Sequence, residues 1–252
     1  MRGAWKRSIF RRPFGAMLGI SGVYPRAVII LGAISVSAVS ASSSNALVPV
    51  SPANFCVTEG TVEELPGHLL SVTVPKMRAY LNALTLQTIE ARFTYQGATG
   101  SEARLGSGAL RRQFGLKLRA QDACNVVYAM WRMAPESKLV VSIKSNPGQD
   151  SSAQCGNRGY RNVKPRRDMT VPALRVGDTH VIRAEMNGAE MKVFIDNSTV
   201  WEGFLGQDAL AFDGPVGIRS DNARLQMQIR VGPVLHAQRG GAPICRSSEE
   251  SE

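Results

Sequence analysis

From Leu70 onward, apolar and polar residues alternate with a period of two, the mark of half-buried strands. LSVTV (Leu70 to Val74), TIEARFTY (Thr88 to Tyr95), FGLKLR (Phe114 to Arg119), NVVYAMWRM (Asn125 to Met133) and LVVSIK (Leu139 to Lys144) form a first set. VIRAEM, EMKVFID, TVWEG, PVGIRS and LQMQIRV form a second. Within the second set, Asn187-Gly188 predicts a tight turn, because both residues tolerate positive φ. Asp196-Asn197-Ser198 predicts the next, so the segment from His180 to Gly203 reads as a meander whose register is set by its turns. A single short helix is expected around Lys76 to Ala83. Asn146 to Arg167, rich in Gly, Pro, Asn, Ser and charge, is long for a structureless connection and should be tethered or functional.

The alternation splits the central strands into two faces. Leu116, Leu118, Val127, Ala129, Trp131, Met133, Leu139, Val141 and Ile143 form the apolar, core-facing set. Lys117 and Arg119, then Tyr128, Met130 and Arg132, then Ser142 and Lys144 form the opposite one. If these strands are neighbours, the second set makes one basic face with an aromatic ring. Such a face suits an acidic or sulfated sugar, with cations paired to carboxylates and Tyr128 stacked on a pyranose. Its plainer reading is a solvated sheet face. CGNRGY adds Arg158 and Tyr160 on a glycine-rich loop, as a rim contact or as the closure of a turn. Trp201 reads as core.

Charge alters the picture little. The net charge is +10, but six of the 30 basic residues precede Ala41 with no acid among them; the remaining 24 face 20 acids. The remainder is ordinary for a soluble domain, and nucleic acid is not an expected partner. Those six residues lead into the apolar run AVIILGAISVSAV and then SASSSNA, the layout of a secretory signal peptide. Residues 1–41 are therefore expected as a signal peptide with cleavage after 41 or 46. The alternative is a retained N-terminal anchor, the one case in which a membrane is a partner. Arg11-Arg12 is compatible with twin-arginine export, and translation from Met17 would shorten the leader. The rest divides into a linker over 47–66, a sandwich domain over 67–236 and a tail over 237–252, disordered after Cys245. An even cysteine count in an exported chain favours disulfides. Of the three possible pairings the expected one is Cys124 with Cys155 and Cys56 with Cys245, the latter because domain termini lie close together.

The order NGAEMKVFIDNSTVWEG followed by FDGPVGIRSDNARLQMQIRVGP, with FGLKLRAQDACNVVYAMWRM and LVVSIKSNPG upstream, resembles concanavalin A-like lectin/glucanase domains. The resemblance is in particular to the laminin G-like and 3-keto-disaccharide hydrolase-type domains of bacterial exported proteins. The likeness covers roughly Leu105 to Pro233. It implies an all-β jelly-roll sandwich of two antiparallel sheets, one concave, with glycans bound on the concave face or its rim in many members. The departures matter as much. The Glu-x-Asp-x-x-Glu strand of the glucanases is absent, as are the Arg-rich strand and Gln-x-His pair of the alginate lyases.

HExxH, GxSxG and phosphate-cradling loops are missing too. His68, His180 and His236 are scattered, and Asp122 and Glu185 have no evident partner carboxylate. Laminin G-like domains sometimes hold calcium where Asp213, Asp221 and Asn222 stand, but these residues read as turn formers, and no metal or cofactor is expected. Asn197-Ser198-Thr199 matches a glycosylation acceptor, discounted for a bacterial chain. The expected function is a non-catalytic, exported, lectin-like module for an acidic or neutral glycan. A sugar-active hydrolase or lyase with an unrecognised site is the alternative, and a structural or protein-interaction domain of the periplasm or cell surface a third.

Overall fold

The computed structural model describes residues 46–81, 86–211 and 213–232. Contacts divide the chain between residues 42 and 43, and all the described residues belong to the second unit. The leader, Cys245 and the tail lie outside the described residues. Among those residues no helix is long and apolar enough to cross a membrane.

Two antiparallel sheets make a jelly-roll sandwich, with strands numbered along the chain. In spatial order the first sheet holds β11 (Arg167–Asp168), β14 (Ser198–Phe204), β13 (Glu190–Ile195), β12 (Thr179–Asn187), β6 (Thr88–Ala98), β16 (Ala223–Val231), β4 (Leu69–Val72) and β3 (Glu63–Leu65). β1 (Val48–Pro49) also pairs with β16. The second sheet runs β10 (Tyr160–Asn162), β9 (Lys138–Lys144), β8 (Val126–Ala134), β7 (Arg112–Leu118), β15 (Gly217–Asp221), β5 (Lys76–Leu81) and β2 (Phe55–Glu59).

Alternation sets which side of each strand enters the core. In β7, Phe114, Leu116 and Leu118 are fully buried against the first sheet, and in β8 Val127, Ala129 and Trp131 do the same. Leu139, Val141 and Ile143 of β9 complete this wall, and Met133 packs at its margin. Phe93 of β6 bridges the sheets, its ring 5.0 Å from that of Phe114 and 5.7 Å, edge-on, from that of Trp131. Such aromatic contacts add about 0.5–1.5 kcal/mol beyond the area they bury. Trp201 lies in the same core, at 2 % exposure.

Three expectations need correction. The segment Lys76 to Leu81 is strand β5, not helix: Met77, Ala79 and Leu81 enter the core while Lys76, Arg78 and Tyr80 face away. Its residues favour helix individually, but pairing with β2 on one side and β15 on the other overrides that preference. Residues 47–66, expected as a linker, supply β1, β2 and β3. Their alternation is short and interrupted by Pro49 and Pro52, which conceals it. The Asn187-Gly188 turn is displaced by one residue: Asn187 pairs with Glu190, and Gly188 (φ 58°) and Ala189 form the loop. The next turn is as read, with Asp196 and Asn197 at φ 48° and 66°. Asn146 to Arg167 is tethered by the Cys124–Cys155 disulfide and carries α1 (Ser152–Cys155) and β10.

Candidate functional site

Residues paired across antiparallel strands point to the same side of a sheet. On the side of the second sheet turned away from the core, register places Cys56, Tyr80, Gly217, Lys117, Tyr128, Ser142 and Asn162 in one row across all seven strands. A neighbouring row contains Glu59, Arg78, Arg219, Gly115, Met130 and Val140. The next holds Lys76, Asp221, Gln113, Arg132 and Lys138. Lys144 and Tyr160 pair at the opposite end. β7, β8 and β9 are neighbours, so Lys117, Tyr128, Arg132, Ser142 and Lys144 share one face.

Gly217 matters in the first row. Its missing side chain leaves the space between Tyr80 and Lys117 open, and the Lys117 ammonium sits 3.7 Å from the centre of the Tyr80 ring. A Cβ at Gly217 would fall 2.3 Å from the Ala79 carbonyl oxygen. Tyr128 stacks on Tyr160 with ring centres 5.9 Å apart, and the Arg219 guanidinium lies 5.3 Å from the Tyr128 ring. Arg219 Nη1 donates to the Tyr160 hydroxyl (3.2 Å). Lys144 Nζ donates to the Ala123 carbonyl (3.0 Å) and contacts Cys155 Sγ (3.1 Å), with the Tyr160 ring 5.4 Å away. The disulfide thereby places Tyr160, through its loop, beside Lys144.

A buried carboxylate organises the centre. Asp221, fully out of solvent, accepts from Arg78 Nη2 (2.6 Å), Gln113 Nε2 (2.6 Å) and Arg219 Nε (2.9 Å). Burial alone would raise its pKa, but Arg219 and Arg78 reverse this and hold it below the ordinary carboxylate value. Burial pushes the Lys117 pKa well down, and the nearby charges of Arg78 and Arg219 push it further. Burial likewise lowers Lys144 and raises the Tyr128 phenol, which the neighbouring Tyr160 raises further. Tyr160 goes the other way: burial opposes ionisation, but the charge and hydrogen bond of Arg219 and the charge of Lys144 bring its pKa below the usual phenol value.

The face is amphipathic rather than openly wetted. Tyr80, Ala120, Val126, Tyr128 and Met130 form a small apolar cluster separate from the main core. Lys117 is 1 % exposed, Tyr128 and Lys144 4 %, and Ser142 7 %, whereas Tyr160 is 40 % exposed. This disposes of the freely solvated sheet face. Among the described residues, Lys117, Lys144 and Arg132 make no ion pair.

The other sequence candidates separate clearly. Arg119 does not belong to the face: the chain leaves β7 there at φ 48°, and its guanidinium donates to the carbonyls of Ala209 (3.1 Å) and Gly188 (3.3 Å). Arg158 closes its own turn, donating to the carbonyls of Cys155 and Gln154. Asp122 caps the following turn through the backbone N–H groups of Cys124 and Asn125 (2.7 Å each), and Glu185 pairs with Arg183 (2.9 Å). Asn222 holds Ala103 and Arg111 from a turn at φ 59°, while Asp213 accepts from Gly214 N–H. Asp221 is thus an ion-paired strand residue, not a turn former. Cys56 is disulfide-bonded; Cys245, its expected partner, lies outside the described residues. The sequence reading missed Arg78, Tyr80, Gln113 and Arg219. The signal for Arg219 and Asp221 was the alternation in GIRSD, where Ile218 and Ser220 take the other side.

No protein-family model matches the chain, and no curated protein does. Solved structures do. A carbohydrate-binding module, CBM66 from Bacillus subtilis, is 15 % identical over 69 % of this chain and 91 % of its own, with a TM-score of 0.49. The carbohydrate recognition domain of Emp46p in its metal-free form is 10 % identical over 71 % and 87 %, TM-score 0.47. The laminarinase from Rhodothermus marinus is 12 % identical over 76 % and 95 %, TM-score 0.45. Identities and scores at this level say nothing of what the chain binds or does. The strand pairing set out above is that of a jelly-roll sandwich of two antiparallel sheets, and this is the fold the chain adopts.

Proposed function

We propose that the protein is an exported, non-catalytic glycan-binding module whose site is the outward face of the second sheet, and that its ligands are acidic sugars. One observation carries this reading: Lys117, Lys144 and Arg132 stand on a face shared with the stacked pair Tyr128 and Tyr160 and make no ion pair among the described residues. Cations without carboxylates are completed by an anion, and a phenol 40 % exposed at the rim is a platform for a pyranose ring. Export accords with the Cys124–Cys155 disulfide, since disulfides persist in oxidising compartments.

The test is titration calorimetry of the mature protein against polygalacturonate, alginate and neutral laminarin. Binding of the acidic polymers, weakened tenfold or more by Tyr160→Ala at an unchanged melting temperature, is the expected result, roughly the 1–3 kcal/mol of one stacked ring. Equal binding of laminarin would remove the acidic specificity, and silence across the panel would remove the function.

A second reading, a uronate lyase, is favoured by one feature. The Tyr160 phenol has a lowered pKa beside Arg219, and a positioned phenolate is a proton acceptor. Ultraviolet-absorbing unsaturated products from the same acidic polymers would select it over simple binding.

A further inference from the structure

We infer that the acidic group of a bound glycan is read by Arg132, with Arg111 beside it, and that the face takes a trisaccharide or longer stretch of acidic polysaccharide laid along β8 from the Tyr160 ring. The inference rests on the glycan-binding reading and adds where the acid group goes and how long the ligand must be.

Two of the cations on this face are enclosed. Lys117 and Lys144 are 1 % and 4 % exposed, one against the Tyr80 ring and the other against the Ala123 carbonyl, so they act on a ligand only through their charge. Arg132 is placed otherwise. It is half-buried toward the end of β8, and its Nε, shielded from water, has no hydrogen-bond partner among the described residues. Glu136, the carboxylate whose charge reaches it, is taken by Lys138 at 2.8 Å. Burial first, and then the like charge of Arg111, hold the Arg132 pKa below the ordinary guanidinium value. Neither arginine makes an ion pair among the described residues. Two neighbouring guanidiniums without a counter-charge offer the forked donors that a carboxylate or sulfate accepts in parallel.

An apolar floor joins this end of the face to the tyrosines. Met130 pairs with Val140 across β8 and β9, and Gly115 faces Met130 from β7. A Cβ at Gly115 would fall 2.7 Å from Met130 Sδ, so the bare glycine is what lets the thioether lie across its neighbour. Apolar lining with a few fixed polar groups is the usual make-up of a ligand cleft, and the C–H faces of a pyranose suit it.

Spacing sets the length. Tyr160 stacks on Tyr128 with ring centres 5.9 Å apart. Tyr128 and Arg132 stand on the same strand, about 13 Å apart at 3.3 Å per residue. Arg111 and Glu136, whose charges act on Arg132, both lie on its side away from Tyr128. A single pyranose with its glycosidic oxygen covers less than half of that span. The ring on Tyr160 and the acid group at Arg132 therefore belong to different residues of one chain, with another residue between them over Met130 and Val140. A chain long enough to make both contacts gains the second at high effective concentration, so affinity rises in a step with length.

Calorimetry of the mature protein at low salt, with galacturonic acid and its oligomers from the dimer to the pentamer, tests this. The tetramer should bind at least about tenfold more tightly than the dimer. Arg132→Gln should remove that step, bringing the tetramer down to the affinity of the dimer, while the dimer's own affinity and the melting temperature stay as in the parent. Arg132→Lys should restore the step only in part, because an ammonium lacks the parallel donors. A monomer or dimer bound as tightly as the tetramer overturns the inference, and so does a tetramer affinity that Arg132→Gln leaves unchanged. Polygalacturonate bound with no step in the length series overturns it and leaves the glycan-binding reading standing. Silence of the polymer and of every oligomer overturns that reading as well.

Discussion

Asp221→Asn probes the centre of the site most directly. The carboxylate is 0 % exposed and accepts three bonds, at 2.6, 2.6 and 2.9 Å, from Arg78, Gln113 and Arg219. The asparagine keeps the shape but loses the charge, and its amide N–H group now faces another donor, either Gln113 or one of the arginines. Two guanidiniums, each with its side chain about one-eighth exposed, lose their shared counter-charge. Arg78 retains only Glu59, at 3.6 Å and half exposed. Removing one partner of a buried pair costs about 3–5 kcal/mol, because the charge left behind has neither water nor an anion. For a domain of this size that is a fall of about 6–20 °C in melting temperature. The pH dependence sharpens the test. The folded-state pKa of Asp221 lies below its ordinary 3.8, so its contribution is fully present above that value and is lost as pH falls through the lowered one. Urea denaturation from pH 7 to pH 2 should therefore show a steep acid limb in the parent and a shallower one in the variant. The same change frees two arginines and should raise affinity for anionic polymers while lowering stability. An unchanged melting temperature, or an acid limb of the same slope in both proteins, would refute the account of Asp221 as the keystone of the face.

Lys117→Met should move stability and binding in opposite directions. Burying this side chain is destabilising, since its lowered folded-state pKa means that stability rises as pH climbs from that value toward 10.5. The variant should melt at or above the parent temperature, flatten that alkaline rise and lose affinity for acidic polymers. A loss of about 2 kcal/mol or more in urea, as in an ordinary core truncation, would contradict this. Replacing Cys124 and Cys155 together with serine releases a loop closed over a separation of 31 residues and should cost about 4 kcal/mol in the chain-entropy treatment. Calorimetry should also show weaker acidic-polymer binding at temperatures where the domain stays folded, because the loop that positions Tyr160 is no longer tied to Cys124.

The legible part of the sequence was its period. In β7, β8 and β9 a strict alternation names the core residues and their opposites correctly, because each strand is long enough to repeat the pattern and each is paired on both sides. Lys117, Tyr128, Arg132, Ser142 and Lys144 were placed on the face opposite the core this way. Arg119 was not excluded because alternation has no memory of where a strand stops: the chain turns at φ 48°, and the next side chain in phase points elsewhere. The remaining partners were concealed by topology. β15 enters the sheet beside β7, and β5 beside β15, although they lie about 100 residues after and 36 before β7 along the chain. Only that pairing brings Arg219, Asp221 and Arg78 to the lysine. In β5 the concealment was double, since KMRAYL is made of good helix formers and its two-residue rhythm passes equally for the start of a helical turn.

This topology also explains why so polar a face can be so dry. A lone ammonium or carboxylate at 1 % or 0 % exposure would cost more than a domain of marginal stability can absorb. Here the charges are distributed so that the costly ones are shared. Asp221 serves two arginines at once, and the position of Gly217 lets Lys117 lean on the Tyr80 ring, whose electron-rich face offers part of what water would have given. What remains uncompensated among the described residues is positive, and it lies toward β7, β8 and β9 rather than at the paired arginines. An anion bound there gains a partner that is already oriented and already dehydrated, so little further ordering is required of the protein when it binds. The same arrangement sets the sign of each variant above. Changes that remove the shared carboxylate weaken the fold and expose cations, whereas changes that remove the unshared lysine relieve the fold and should weaken the acidic-sugar binding proposed for this face.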